Sequence, residues 1–187
     1  MAYILIDAIG IKQLFQTNKQ EAINKCQHFW NSIKVKALND DIGSRYVTFS
    51  DSALVFIPQK DVPTGVKLVI WIRNLLDGLK KATGTEFYAI ANTGSEADPN
   101  ILHDILPVEI NQNCEQRYVH IAGLGDDFAN LFYAEDEIQK QRQAGCIPQT
   151  ARIYVNESLL ESTQINIHPP ITFKGLGGQS HTLVCMD

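Results

Sequence analysis

The chain has 187 residues, 44% of them hydrophobic and 20% charged, with a formal net charge of −5. That leaves room for one domain with its own core and too little for two ordinary ones. The acidic balance argues against direct, sequence-independent nucleic-acid binding, which needs a basic face, and no apolar run approaches the ~20 residues of a membrane span.

The opening stretch MAYILIDAIGIK lacks a basic leader and carries Asp7 inside its apolar run. It therefore reads as a buried strand and not as a signal peptide. Tyr3 to Ile6 form the strand, and Gly10 breaks it. Thr17-Asn18-Lys19-Gln20 has the pattern of a capping box. The helix behind it runs to about Leu38, with Ala22, Cys26, Phe29, Trp30 and Ile33 recurring at helical spacing. A loop at 40–44 leads to two strands at about 45–49 and 53–57, and Asp51 stands at their junction in VTFSDSALVFI.

Pro63 suits the first turn of a second helix. Val66, Val69, Ile70, Leu75, Leu76 and Leu79 outline that helix, and Gly84 ends it. EFYAIAN (86–92) is a strand, 93–115 is irregular with room for a helical turn at ILHDIL, and RYVHIAG (117–123) is another strand. Asp126 and Asp127 can cap a third helix to about Ala144, with Phe128, Leu131, Phe132 and Ile138 inward. ARIYV (151–155) is a strand, and ITFKG and HTLVCM close the chain as a hairpin across LGGQS.

The opening order, strand–helix–strand–strand–helix–strand, is the split βαβ or ferredoxin-like arrangement. The expected fold is α+β: a ferredoxin-like palm (βαββαβ) with a C-terminal helix–strand–hairpin extension, one domain over 1–187. The four cysteines (Cys26, Cys114, Cys146, Cys185) lie far apart with no CxxC, which fits free thiols in a reducing, cytoplasmic setting.

In such a core the first strand lies beside the hairpin. A carboxylate at the end of that strand can then face a carboxylate at the hairpin turn. Adjacent carboxylates repel, and a hard divalent cation between them removes the penalty. Asp7 and Asp51 are the expected pair, as metal ligands and catalytic residues. Ala8, Ile9, Gly10 and Ile11 are the expected phosphate turn, since Gly10 lets the backbone N–H groups approach an anion. Taken singly, an Asp at a turn or strand end is ordinary turn or cap chemistry. Together they carry more weight.

IDAIGI followed by FSDS, with the aspartates 44 residues apart (51 − 7), resembles the class III nucleotidyl cyclase catalytic domain. Its first strand ends in Phe-x-Asp-Ile-x-Gly-Phe and its hairpin carries a second metal aspartate. VHIAGLGDDFANLFYAEDEIQKQRQAGCIPQTARIYVNESLL looks like that family's glycine–helix–glycine–strand passage. FKGLGGQSHTLVCM is similar to its closing hairpin, with Lys174-Gly175 matching in position. The resemblance implies a head-to-tail homodimer, a nucleoside triphosphate substrate and two Mg²⁺ or Mn²⁺ ions held by the aspartates. It further implies attack of the ribose 3′-oxygen on the α-phosphorus, with pyrophosphate leaving.

Four positions depart from the family pattern. Val47 stands where adenylate-specific members carry a lysine. With Gly123 aligned on the family's glycine, His120 replaces a base-reading acid, Asp127 the usual asparagine and Leu131 the usual arginine. Leucine cannot steady a transition state. Three readings follow. The first is an active cyclase of another base, resembling the short pyrimidine cyclases of bacterial anti-phage signalling, with Arg45 or Arg152 as substitute arginines. The second is a nucleotide-binding or interaction module that does not turn over. The third takes AGLGDDF as a strand–turn–strand, resembling the Gly-Gly-Asp-Asp turn of CRISPR-associated palms whose relatives make cyclic oligonucleotides. His28 reads as partly buried, Gly175 to Gly178 as a turn, and Trp30 and Trp71 as core or dimer surface.

Overall fold

The structure, a computed structural model, describes residues 1–39, 42–94, 125–148, 150–160 and 169–186. The first strand, β1 (Ala2–Ala8), is longer than its apolar run suggests, and Asp7 lies inside it. Gly10 follows with φ 84, a left-handed value that favours glycine, and opens a short helix, α1 (Ile11–Thr17), that the sequence reading missed. Next is α2 (Lys19–Leu38), whose cap is Asn18 and not Thr17. The Asn18 side chain accepts the Glu21 N–H at 3.2 Å and donates back to the Glu21 carboxylate at 3.1 Å, so the box sits one residue later than expected.

The hairpin is β2 (Arg45–Phe49) and β3 (Ser52–Ile57), with Ser50 and Asp51 as its two-residue turn. The second long helix, α3 (Val66–Thr83), starts three residues after Pro63, so that proline ends the preceding loop. It stops at Gly84, again left-handed, whose N–H returns to the Lys80 carbonyl at 2.8 Å. Then come β4 (Phe87–Thr93), α4 (Gly125–Gln143), β5 (Ile153–Asn156), β6 (Ile171–Lys174) and β7 (Ser180–Cys185). The strand expected at 117–123, the ILHDIL turn, His120 and Cys114 lie outside the described residues.

The seven strands form one sheet in the order β2-β3-β1-β4-β5-β7-β6. Its first four strands pair antiparallel throughout, which is the split βαβ core; β4 and β5 run parallel. Period-two alternation gives the sheet two apolar faces. Ala2, Ile4, Ile6 and Ala8 of β1 pack with Phe29 and Ile33 of α2 and Leu68, Ile72 and Leu76 of α3. Tyr3 and Leu5 join the opposite cluster, with Tyr88, Tyr154, Leu183 and, from α4, Leu131, Ala134 and Ile138. Leu68, Ile72 and Leu76 are fully buried, each worth about 1.5–3 kcal/mol relative to exposure. Val66 and Ile70, expected inward, are exposed, as are Trp30 and Phe132.

Candidate functional site

Strand pairing builds the surroundings of Asp7. On one side its register partner is Ser52 of β3, and on the other it is Tyr88 of β4. Side chains at paired positions share a face, so both neighbours reach the carboxylate. Ser52 Oγ donates to Asp7 Oδ1 at 2.5 Å. The Tyr88 hydroxyl has one proton to give. It meets Glu135 Oε1 of α4 at 3.2 Å, also hydrogen-bonds Asp7, and accepts from Gln139 Nε2 at 3.1 Å.

Asp51, at the hairpin turn, is buried at 8% exposure. Its carbonyl accepts the Ala8 N–H at 3.2 Å, tying the turn to the residue after Asp7. Asp7, Asp51, Tyr88, Glu135, Gln139 and Arg142 line one cavity of about 370 Å³. The two aspartates therefore line the same cavity.

The electrostatics agree. Burial pushes the Asp7 carboxyl up from 3.8 to about 6; the Ser52 hydrogen bond opposes this, and the charges of Asp51 and Glu135 reinforce it. Burial, with the charges of Asp7 and Glu135, drives the Tyr88 phenol upward, so it remains a neutral donor. Arg142 is also buried. It donates to the Ala151 carbonyl at 2.7 Å and lies over the Tyr88 ring, 4.5 Å from its centroid.

Among the described residues no group of three or more His, Cys, Asp or Glu side chains is placed to hold a metal. The pair still fits Mg²⁺ or Mn²⁺. These ions take one or two carboxylates and complete their shell with water and substrate phosphate oxygens. The raised Asp7 value comes chiefly from burial, with the charges of Asp51 and Glu135 adding to it, and a cation bound there would offset it.

Other expectations fare differently. Of the four residues expected to turn their N–H groups toward phosphate, two have them engaged within the protein. The Ala8 N–H goes to Asp51 and the Ile9 N–H to the Glu86 carbonyl at 2.8 Å, because both residues continue the edge of the sheet. Gly10 and Ile11 remain at the start of α1, where first-turn N–H groups lack helical partners. Val47 is half-buried on the hairpin, its side chain packed against the apolar cluster on the Asp7 side of the sheet. Asp127 lies in α4; residues 125–128 are helical and form no second strand, while 122–124 lie outside the described residues. Leu131 is fully buried in the α4-side core.

Neither candidate arginine lines the cavity. Arg152 pairs with Asp77 at 3.0 Å, and Arg45 lines a separate cleft between α2 and β2. His28 is exposed, not part-buried. The sequence reading passed over Ser52, Tyr88, Glu135, Gln139 and Arg142. The last three are spaced four and three residues apart, a polar helical stripe that could have been noticed.

Comparison with known proteins gives the fold a class. The crystal structure of the guanylyl cyclase Cya2 superimposes with a TM-score of 0.51 at 13% identity, over 98% of this chain and 89% of that one. No protein-family model and no curated protein matches the sequence. The chain is an α+β, nucleotide cyclase-like palm. Among the described residues no helix is long and apolar enough to cross a membrane.

Proposed function

We propose that the chain is a metal-dependent nucleotidyl cyclase, converting a nucleoside triphosphate to a 3′,5′-cyclic nucleotide and pyrophosphate. One observation carries this reading: Asp7 and Asp51 line a single cavity on a cyclase-like palm. In the reaction the 3′-oxygen bonds to the α-phosphorus, the bond from that phosphorus to the β-phosphate bridging oxygen breaks, pyrophosphate leaves with that electron pair, and the 3′-hydroxyl proton passes to solvent water. Asp7 and Asp51 would hold two Mg²⁺ or Mn²⁺ ions, which when bound supply the positive charge that phosphoryl transfer requires. Ser52 and Tyr88 orient Asp7, and the start of α1 at Gly10 and Ile11 faces the triphosphate.

We further propose a pyrimidine nucleotide as substrate and an anti-phage second messenger as product, on the resemblance noted above and on Val47 in place of the adenine-specific lysine. A homodimer suits the exposed Phe132 and Tyr133 of α4 and the exposed Leu176, whose N–H bonds Asn130 of that helix. A second reading, a nucleotide-binding module without turnover, is favoured by one finding: Leu131 is core, so it offers no transition-state cation.

The test is incubation with each of the four ribonucleoside triphosphates and Mn²⁺, with products resolved by mass. A cyclic mononucleotide formed by wild type and lost in Asp51→Asn supports the cyclase. Nucleotide bound but unchanged supports the second reading.

A further inference from the structure

The hairpin turn carrying Asp51 is held from two sides. The carbonyl of its second residue, Asp51, accepts the Ala8 N–H. The carbonyl of its first residue, Ser50, accepts the indole N–H of Trp30 on α2, at 2.7 Å and across 20 residues of sequence. Ser50 has φ 53, the one positive φ on a non-glycine residue among the described residues. That conformation costs roughly 1 kcal/mol or more and persists where surrounding contacts over-determine it.

Trp30 lies off the buried stripe of α2, which is Ala22, Cys26, Phe29 and Ile33; it is 40% exposed and lines the cleft between α2 and β2. From there its indole N–H reaches the carbonyl of the positive-φ residue next to Asp51.

We propose that Trp30 is a positioning residue: its indole N–H holds the Ser50 turn so that the Asp51 carboxylate faces Asp7. This rests on the two-aspartate metal site. A net hydrogen bond of ordinary strength corresponds to a fold-change of about 3 to 10. Trp30→Phe keeps an aromatic ring and removes the donor.

The experiment is a calorimetric Mn²⁺ titration of wild type, Trp30→Phe and Asp51→Asn. It is paired with hydrogen exchange at residues 50–52 in the metal-free protein and with a melting curve. Mn²⁺ binding weaker by about 3- to 10-fold in Trp30→Phe, with faster exchange confined to the turn and a melting curve that stays cooperative and shifts by no more than one hydrogen bond's worth, supports the assignment. Wild-type affinity and wild-type turn exchange in Trp30→Phe overturn it, as does loss of protection along all of α2, which would mark a general packing role. No Mn²⁺ binding by wild type overturns the metal site itself, and this assignment with it. Binding by wild type that survives in Asp51→Asn does the same.

Discussion

Asp7 is a carboxyl whose folded-state affinity for protons exceeds its unfolded one. Its value rises from 3.8 to about 6, chiefly through burial. The fold thus favours the protonated form, and in the metal-free protein the Asp7 contribution to stability is fully present below about pH 4 and is lost as pH rises through about 6. The gap corresponds to at most about 3 kcal/mol. Asp7→Asn removes the titration. In EDTA it should match wild type near pH 4 and exceed it at pH 7–8 by up to that amount, read by urea denaturation. Equal stability at pH 8 would show that Asp7 pays no burial penalty. With Mn²⁺ the order should reverse, since only the carboxylate binds the ion.

Whole elements hold the polar groups in place. On α4, buried Asn130 accepts the Leu176 N–H at 2.9 Å through Oδ1 and meets His181 Nε2 at 3.3 Å through its amide nitrogen. This docks the β6–β7 hairpin, with Lys174 beside the turn, onto the helix that also carries Glu135 and Arg142. Gly175 lies so close that a Cβ there would fall 2.2 Å from Asn130 Oδ1 and 2.7 Å from His181 Nε2. Gly175→Ala should therefore destabilise the protein by about 1–3 kcal/mol through overpacking, measured as a lowered denaturation midpoint. Gly177 has open space where a Cβ would go. Its φ of 78 still strains any substitution, so the comparison belongs with the exposed neighbour Gln179→Ala, which should be near neutral.

At the scale of the molecule, folding and ligation are linked. A nucleotide with Mn²⁺ that binds only the native state at a hundred times its dissociation constant adds about 2.7 kcal/mol. Wild type should show that increase in stability with its preferred triphosphate, and Asp51→Asn should not; a thermal melt with each nucleotide checks both. Assembly is tested separately. Phe132→Asp alters an exposed side chain, so it should leave the fold's stability nearly intact while shifting a dimer toward monomer in sedimentation equilibrium. A wild-type monomer at all concentrations would remove the homodimer.

Period and punctuation were enough to set six of the first seven helices and strands and their order, since the apolar spacing of α2 and α3 and the apolar runs of the strands are local properties. They also picked out Asp7 and Asp51, because an isolated charge in an apolar run is visible without coordinates. The short α1 escaped, being two turns with a single buried residue, Ile11. So did the surroundings of the aspartates. Ser52 and Tyr88 flank Asp7 only through strand register, and Glu135, Gln139 and Arg142 arrive from a helix far along the chain from both aspartates. Which backbone N–H groups are already satisfied was likewise a tertiary matter: Ala8 and Ile9 lose theirs to carbonyls of Asp51 and Glu86. Residue type and spacing fix what each segment can do alone. The cavity is made where segments distant in sequence meet, and only the packed sheet brings them together.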